Sequence, residues 1–110
     1  MTEAQGQAWR PWRKAPGWET AEEDGRRVCG ACRSAVRSYT YRMYPPDSPF
    51  FERCVGLAWC AECRVYGGSV VHVPRSRVLD DALAGLPDAR RERIARSEGR
   101  LVQFLDRRGT

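Results

Sequence analysis

No stretch of the sequence approaches the roughly 18 consecutive apolar residues that a membrane-spanning helix requires. The segment from Met1 to Asp24 also lacks the apolar core of a secretory signal, being polar and tryptophan-containing. These two absences point to no membrane partner and to a cytoplasmic chain whose thiols face a reducing solvent. In that setting paired cysteines read as metal ligands before disulfides. Lysine is almost missing: Lys14 is the only one among 19 basic residues, the rest being arginine. Histidine occurs once, as His72 in a β-branched run, where a strand neighbour is the simpler role. There is no internal repeat beyond two cysteine pairs, and no low-complexity tract.

What is present fits one small domain. The chain has 110 residues, of which 42% are apolar and 30% charged. A domain of this size buries a modest share of its surface, so a metal or disulfide staple is expected. The formal net charge is +5. Arginine in place of lysine also follows from a GC-rich coding sequence, so basicity alone is weak support for a polyanionic partner.

Composition divides the chain into three segments. Residues 1–25 hold five acids and three bases, with no periodic apolar pattern, and read as a mobile arm. The arm contains Trp9, Trp12 and Trp18, candidate anchors for a protein partner or for the chain's own domain. Residues 26–75 read as a β domain. Ser34 to Tyr44 alternates, with Arg37, Tyr39, Tyr41 and Met43 on one face. Pro45, Pro46 and Pro49 mark a loop, Phe50 to Trp59 supplies a second strand, and Ser69 to Val73 a third. Residues 76–110 read as a helical hairpin. Ser76 caps a first helix with Val78, Leu79, Ala82, Leu83 and Leu86 on its apolar face. Pro87 ends it, and a second helix runs from Asp88 to about Arg107, with Ile94, Leu101 and Leu105 within roughly 40° on a helical wheel. The fold class expected is therefore small α+β: a three-stranded antiparallel sheet followed by a two-helix hairpin. That hairpin packs on the sheet or on a second copy, as a homodimer.

The chemistry lies in Cys29-Gly-Ala-Cys32 and Cys60-Ala-Glu-Cys63, with 27 residues between the pairs. Two cysteines three positions apart both reach one ion, because the turn between them aims backbone N–H groups at the first sulfur. Two pairs complete the tetrahedron of soft ligands that zinc prefers. Cys29, Cys32, Cys60 and Cys63 are thus the candidate ligands of one structural Zn2+. Arg26, Arg27, Arg33 and Arg64 flank them and can offset the thiolate charge. With four thiolates and one Zn2+, the chain would carry about +3. Cys54 is expected to be a small buried thiol.

Over residues 26–75 the pattern resembles the zinc ribbon superfamily, in which two knuckles on β-hairpins clamp one zinc. The resemblance carries over to the four cysteines as ligands. It implies a binding or scaffold role of the kind common in transcription, translation and nucleic-acid machinery. Many ribbon knuckles place Gly directly after the second cysteine, whereas Arg33 and Arg64 stand there here. A related treble-clef fold therefore stays open beside the ribbon.

Four cysteine ligands close the coordination sphere, which argues against catalysis at the metal. A rubredoxin-like iron carrier would use similar pairs, with Tyr39, Tyr41, Trp59 and Tyr66 nearby. A dithiol redox protein would need its first cysteine at a helix N-terminus. The function expected is a non-catalytic interaction or regulatory adaptor linked to gene expression, with a protein partner. The alternative is direct DNA or RNA binding through Arg37, Tyr39, Tyr41 and Arg42 on a strand and Arg93, Arg96 and Arg100 on the last helix. There the rings would stack on bases and the arginines meet phosphates.

Overall fold

The computed structural model describes residues 11–108. Six strands, β1 (Arg13–Lys14), β2 (Thr20–Glu23), β3 (Arg26–Cys29), β4 (Arg37–Arg42), β5 (Arg53–Cys60) and β6 (Val65–His72), precede two helices, α1 (Asp88–Ala95) and α2 (Glu98–Arg108). They form a four-stranded sheet in the order β1-β6-β5-β4 and a two-stranded sheet of β2 and β3. No helix among the described residues is long and apolar enough to cross a membrane.

The three antiparallel strands expected from the alternating pattern are β4, β5 and β6, with Tyr39 opposite Leu57 and Trp59 opposite Tyr66. The sheet is not a clean three-stranded one, however. β1 adds a fourth strand parallel to β6, with Arg13 opposite Val65. β2 and β3 form a separate hairpin, with Thr20 opposite Cys29. Much of the stretch from 11 to 25 that read as an arm is thus strand or turn. The hairpin closes at Asp24-Gly25, both with positive φ (52° and 76°), as the right-handed twist of paired strands demands of a two-residue loop. Trp9 lies outside the described residues.

Residues on one face of the sheet alternate into the core. Leu57, Trp59 and Tyr66 pack against Ile94, Leu101, Val102 and Leu105 of the helices, with Tyr39, Tyr41 and Val55 at the margin. The apolar stripe of the helical segment therefore covers the sheet. Asp106 pins this contact, accepting hydrogen bonds from Trp59 Nε1 (3.3 Å) and Arg37 Nη1 (3.4 Å).

The helix expected from Ser76 is absent; residues 76–86 are turn and irregular chain. Its backbone groups are claimed by side chains instead. The Tyr39 hydroxyl donates to the Asp80 carbonyl and accepts from the Ala82 N–H, both at 3.0 Å. Asp81 Oδ1 accepts from the Leu83 N–H, and Arg42 donates to the Pro74 and Arg77 carbonyls. Such bonds replace i→i−4 pairing where a short segment has little helical drive of its own. Ala82, Leu83 and Leu86 still reach the core, but Val78 is 93% exposed.

The second expected helix is two helices. The break falls at Ser97, whose Oγ accepts the Arg100 N–H (3.4 Å) and caps α2, ahead of helix-disfavouring Gly99. The helical hairpin thus comes from residues 88–108 alone.

Candidate metal centre

Each cysteine pair sits in a tight turn at the end of a strand, the second between the paired strands β5 and β6 and the first after β3, closed by a single bridge of Val28 to Ala35. Cys29 ends β3, the Arg33 N–H returns to the Cys29 carbonyl (2.9 Å), and the Cys29 N–H bonds the Ser34 carbonyl (2.9 Å). Cys60 ends β5, and the Cys63 N–H points at Cys60 Sγ (3.5 Å) before β6 begins. Arg33 (φ 64°) and Arg64 (φ 57°) both adopt the left-handed conformation, so these arginines take the backbone shape for which glycine is the usual choice. In the first turn Gly30 is required by a close approach. A Cβ there would lie 2.9 Å from the Glu19 carbonyl oxygen, which accepts the Gly30 N–H.

The two turns meet. The sulfurs of Cys29, Cys32, Cys60 and Cys63 all lie within 4.8 Å of one another. Across the pairs, Cys29 is 3.8 Å from Cys63 and Cys32 is 3.4 Å from Cys60. A tetrahedron with zinc–sulfur bonds near 2.3 Å has sulfur–sulfur edges of about 3.8 Å. The donor set therefore fits one tetrahedral ion of that size. Cys29 and Cys60 are buried, Cys63 is half-buried and Cys32 is exposed, so the cluster sits just under the surface.

Local hydrogen bonds divide the thiols. Burial opposes ionisation of Cys29, but the Cys32 N–H, the Trp18 indole and the Ala31 N–H together outweigh it and bring the group down to about 6. Ser34, through side chain and backbone, holds Cys32 below the ordinary thiol value. Burial raises Cys60, while the Cys32 sulfur and burial push Cys63 up to about 12. Four sulfurs this close cannot all carry charge unless a cation lies among them, which is the electrostatic demand of a four-thiolate centre.

No family model, curated protein or solved structure matches the chain. The geometry of the four sulfurs stands by itself, and it is compatible with the ribbon arrangement.

Around the cluster, Trp18 packs on the chain's own domain, one of the two roles expected of it, and the sequence carried no sign that it meets the cysteines. Its Nε1 lies 3.5 Å from Cys29 Sγ, and its ring packs with Ala15 against Cys29, Cys60 and Val65. Trp12 is half-buried against the main core, under the Arg64 guanidinium at 5.4 Å. Arg33 reaches Glu23 at 3.2 Å. The two knuckle arginines thus spend their charge on Trp12 and Glu23. Trp59, Tyr66, Tyr39 and Tyr41 occupy the core face of the sheet, opposite to Cys60, because successive strand residues alternate. Cys54 is fully buried beside Arg42 Nη1 (3.4 Å), six residues or about 20 Å along β5 from Cys60. His72 is exposed and faces Glu52 at 3.6 Å. Neither belongs to the cluster.

The residues of β4 expected to meet nucleic acid are used within the domain. Arg37 binds Asp106, Tyr39 binds the 80–82 backbone, and Tyr41 packs on the core. Arg42 donates to the carbonyls of Phe51, Val73, Pro74 and Arg77. By contrast Arg93, Arg96 and Arg100 are exposed on the helices. Arg96 caps the end of α1, while Arg93 and Arg100 flank a groove between α1 and α2.

Proposed function

We propose that the chain is a non-catalytic zinc-binding module in which one structural Zn2+ holds the two knuckles together, and that it works as an interaction or regulatory adaptor in gene expression. The observation that carries this reading is the convergence of four sulfurs from two separate turns, all within 4.8 Å of one another. Four thiolates are soft ligands suited to zinc, and together they leave no coordination position for a substrate. Neither cysteine pair stands at the start of a helix among the described residues, the placement a dithiol redox centre uses. The place in gene expression rests on the ribbon resemblance. Trp12 and Trp18 lie against their own domain. The proposed contact surface is therefore the helical hairpin, not an extended arm.

Native mass spectrometry of protein purified without added metal tests the ion. One zinc per chain is expected, and Cys60→Ser should lose it and melt the domain, because the metal supplies folding energy. A Cys60→Ser protein that stays folded with unchanged thermal stability would overturn the structural role. A coloured, iron-containing preparation would replace zinc with the electron-carrier reading.

A further inference from the structure

The outer side of the helical hairpin carries a groove of about 590 Å³ between α1 and α2. Arg90 and Arg93 of α1 form one wall, and Arg100, Gln103 and Arg107 of α2 the other, with Phe104 between them. No carboxylate lines it among the described residues. We propose that this groove binds single-stranded nucleic acid, with the arginines on the phosphate backbone and Phe104 as a platform for a base. The proposal rests on the reading of the chain as a binding module and names its partner.

The groove keeps its positive charge because the acids of the same helices are used elsewhere. Asp106 is turned to the sheet by Arg37 and Trp59, and Glu98 is held by Lys14 at 3.0 Å. Asp80 pairs with Arg108 at the end of the groove. Asp88 and Glu92 fall about 150° around α1 from the midpoint of Arg90 and Arg93, on its far flank. Arg93 and Arg100 make no ion pair among the described residues. The guanidinium groups of Arg90, Arg93 and Arg100, gathered along one groove, repel one another, and a polyanion relieves that repulsion.

Phosphate is favoured over a peptide carboxylate by what lies between the arginines. Phe104 is half-buried, packed against the core cluster, with the Arg90 guanidinium over its ring at 6.0 Å from the centroid. An aromatic ring with a guanidinium over it suits an unpaired base, which can stack on either plane once the arginine turns to a phosphate, and an acidic peptide offers nothing to match the ring. A duplex keeps its bases stacked away from such a platform. Along α2, Arg100 and Arg107 are separated by a rise of about 10 Å, so the groove follows a short length of strand.

The test uses metal-loaded, full-length protein and a short fluorescent single-stranded RNA of mixed sequence, read by anisotropy over a salt series. With Arg90, Arg93 and Arg100 on phosphates, the slope of log affinity against log salt should be about −2. Arg93→Glu with Arg100→Glu should lower affinity at least tenfold and cut that slope to about a third or less. Phe104→Leu should lower affinity about fivefold or more at an unchanged slope, since it removes stacking and no charge. Arg53→Glu with Arg77→Glu, an equal charge change at exposed positions outside the groove and away from the cysteines, should leave affinity within about twofold of that expected from net charge alone. No binding at low salt, equal losses from this control pair and the groove pair, or a silent Phe104→Leu would each overturn the proposal. So would competition by a poly-glutamate peptide or a DNA duplex as strong as that by unlabelled RNA. Metal content measured on the same samples separates the two readings: binding without zinc removes the structural-metal reading alone, and zinc without binding removes this one.

Discussion

The two knuckle arginines allow a quantitative test of the site. An L-residue in the left-handed region costs roughly 1–2 kcal/mol relative to glycine. Arg33 sits there at φ 64° and Arg64 at φ 57°. Arg33→Gly removes that cost, but glycine returns about 0.5–1 kcal/mol through the greater freedom of the unfolded chain. The lost ion pair to Glu23 joins side chains that are 62% and 46% exposed, and such a pair contributes only a few tenths of a kcal/mol. The net expectation is a gain of about 0.5 kcal/mol. Arg33→Ala keeps the strain and loses the same ion pair, so it should be about 1 kcal/mol less stable than Arg33→Gly, or roughly 4–8 °C in Tm for a small domain. Arg33→Val should be worse again, because a β-branched side chain fits this region poorly. Arg64→Gly should be close to neutral, since it also removes the cation–π contact with Trp12, worth about 0.5–1 kcal/mol. Urea unfolding at a fixed free zinc concentration is the suitable assay, because zinc stabilises whichever state binds it. Should the alanine variant match or exceed the glycine variant at position 33, the turn is not left-handed there and the knuckle geometry is wrong.

Two further outcomes are expected. Trp18→Phe keeps a ring against the cluster but removes the N–H that points at Cys29 Sγ. It should weaken zinc retention about tenfold in competition with a chromophoric chelator while leaving the fold intact, and unchanged retention would mean the indole N–H contributes nothing. Tyr39→Phe breaks two hydrogen bonds to the 80–82 backbone and should cost about 1–2 kcal/mol. Its pH dependence has a definite sign. Burial, with Asp81 and Asp80 nearby, raises the Tyr39 phenol above its ordinary value against the Ala82 N–H. The stabilisation it provides is therefore complete below the unfolded value near about 10 and is lost as pH rises through the raised folded value. Unfolding measured across that alkaline window should show a steeper loss for the parent than for Tyr39→Phe; parallel curves would contradict it.

The four-cysteine cluster was legible because its information is local: each pair is three residues apart, and only the meeting of the pairs needed the fold. β4, β5 and β6 were legible from alternation and from the prolines between them. Asp24-Gly25 is a strong hairpin signal, but the strands it joins are short and carry no apolar alternation, so composition up to residue 25 reads as an arm. β1 has no signal of its own, since two residues carry no period and its partner is far along the chain. The helix expected over residues 76–86 shows how tertiary bonds override a pattern: Tyr39 and Arg42 capture the carbonyls that a helix would have used internally. Ile94, Leu101 and Leu105 were recognised as buried although the helix assigned to them breaks at Ser97, because each half keeps its own apolar side. The role of Trp18 depends on where β1 lays the chain, which no nearby spacing encodes.

The parallel pairing of β1 with β6 would govern how an ion bound among the four sulfurs is released. The β5–β6 hairpin can zip outward from its own turn, whereas Arg13 and Lys14 find a template only once β6 exists. The stretch from Trp12 to Trp18 should accordingly dock last and lift first, with early amide exchange at Ala15 and Trp18 as its signature. When it lifts, Cys29 loses its indole cover and Glu98 its lysine, while Cys60 and Cys63 stay on a closed hairpin. A cation held among the four sulfurs would then escape on the timing of one two-residue strand's fraying, and a chelator would work at the rate of that small motion without waiting for the sheet to melt.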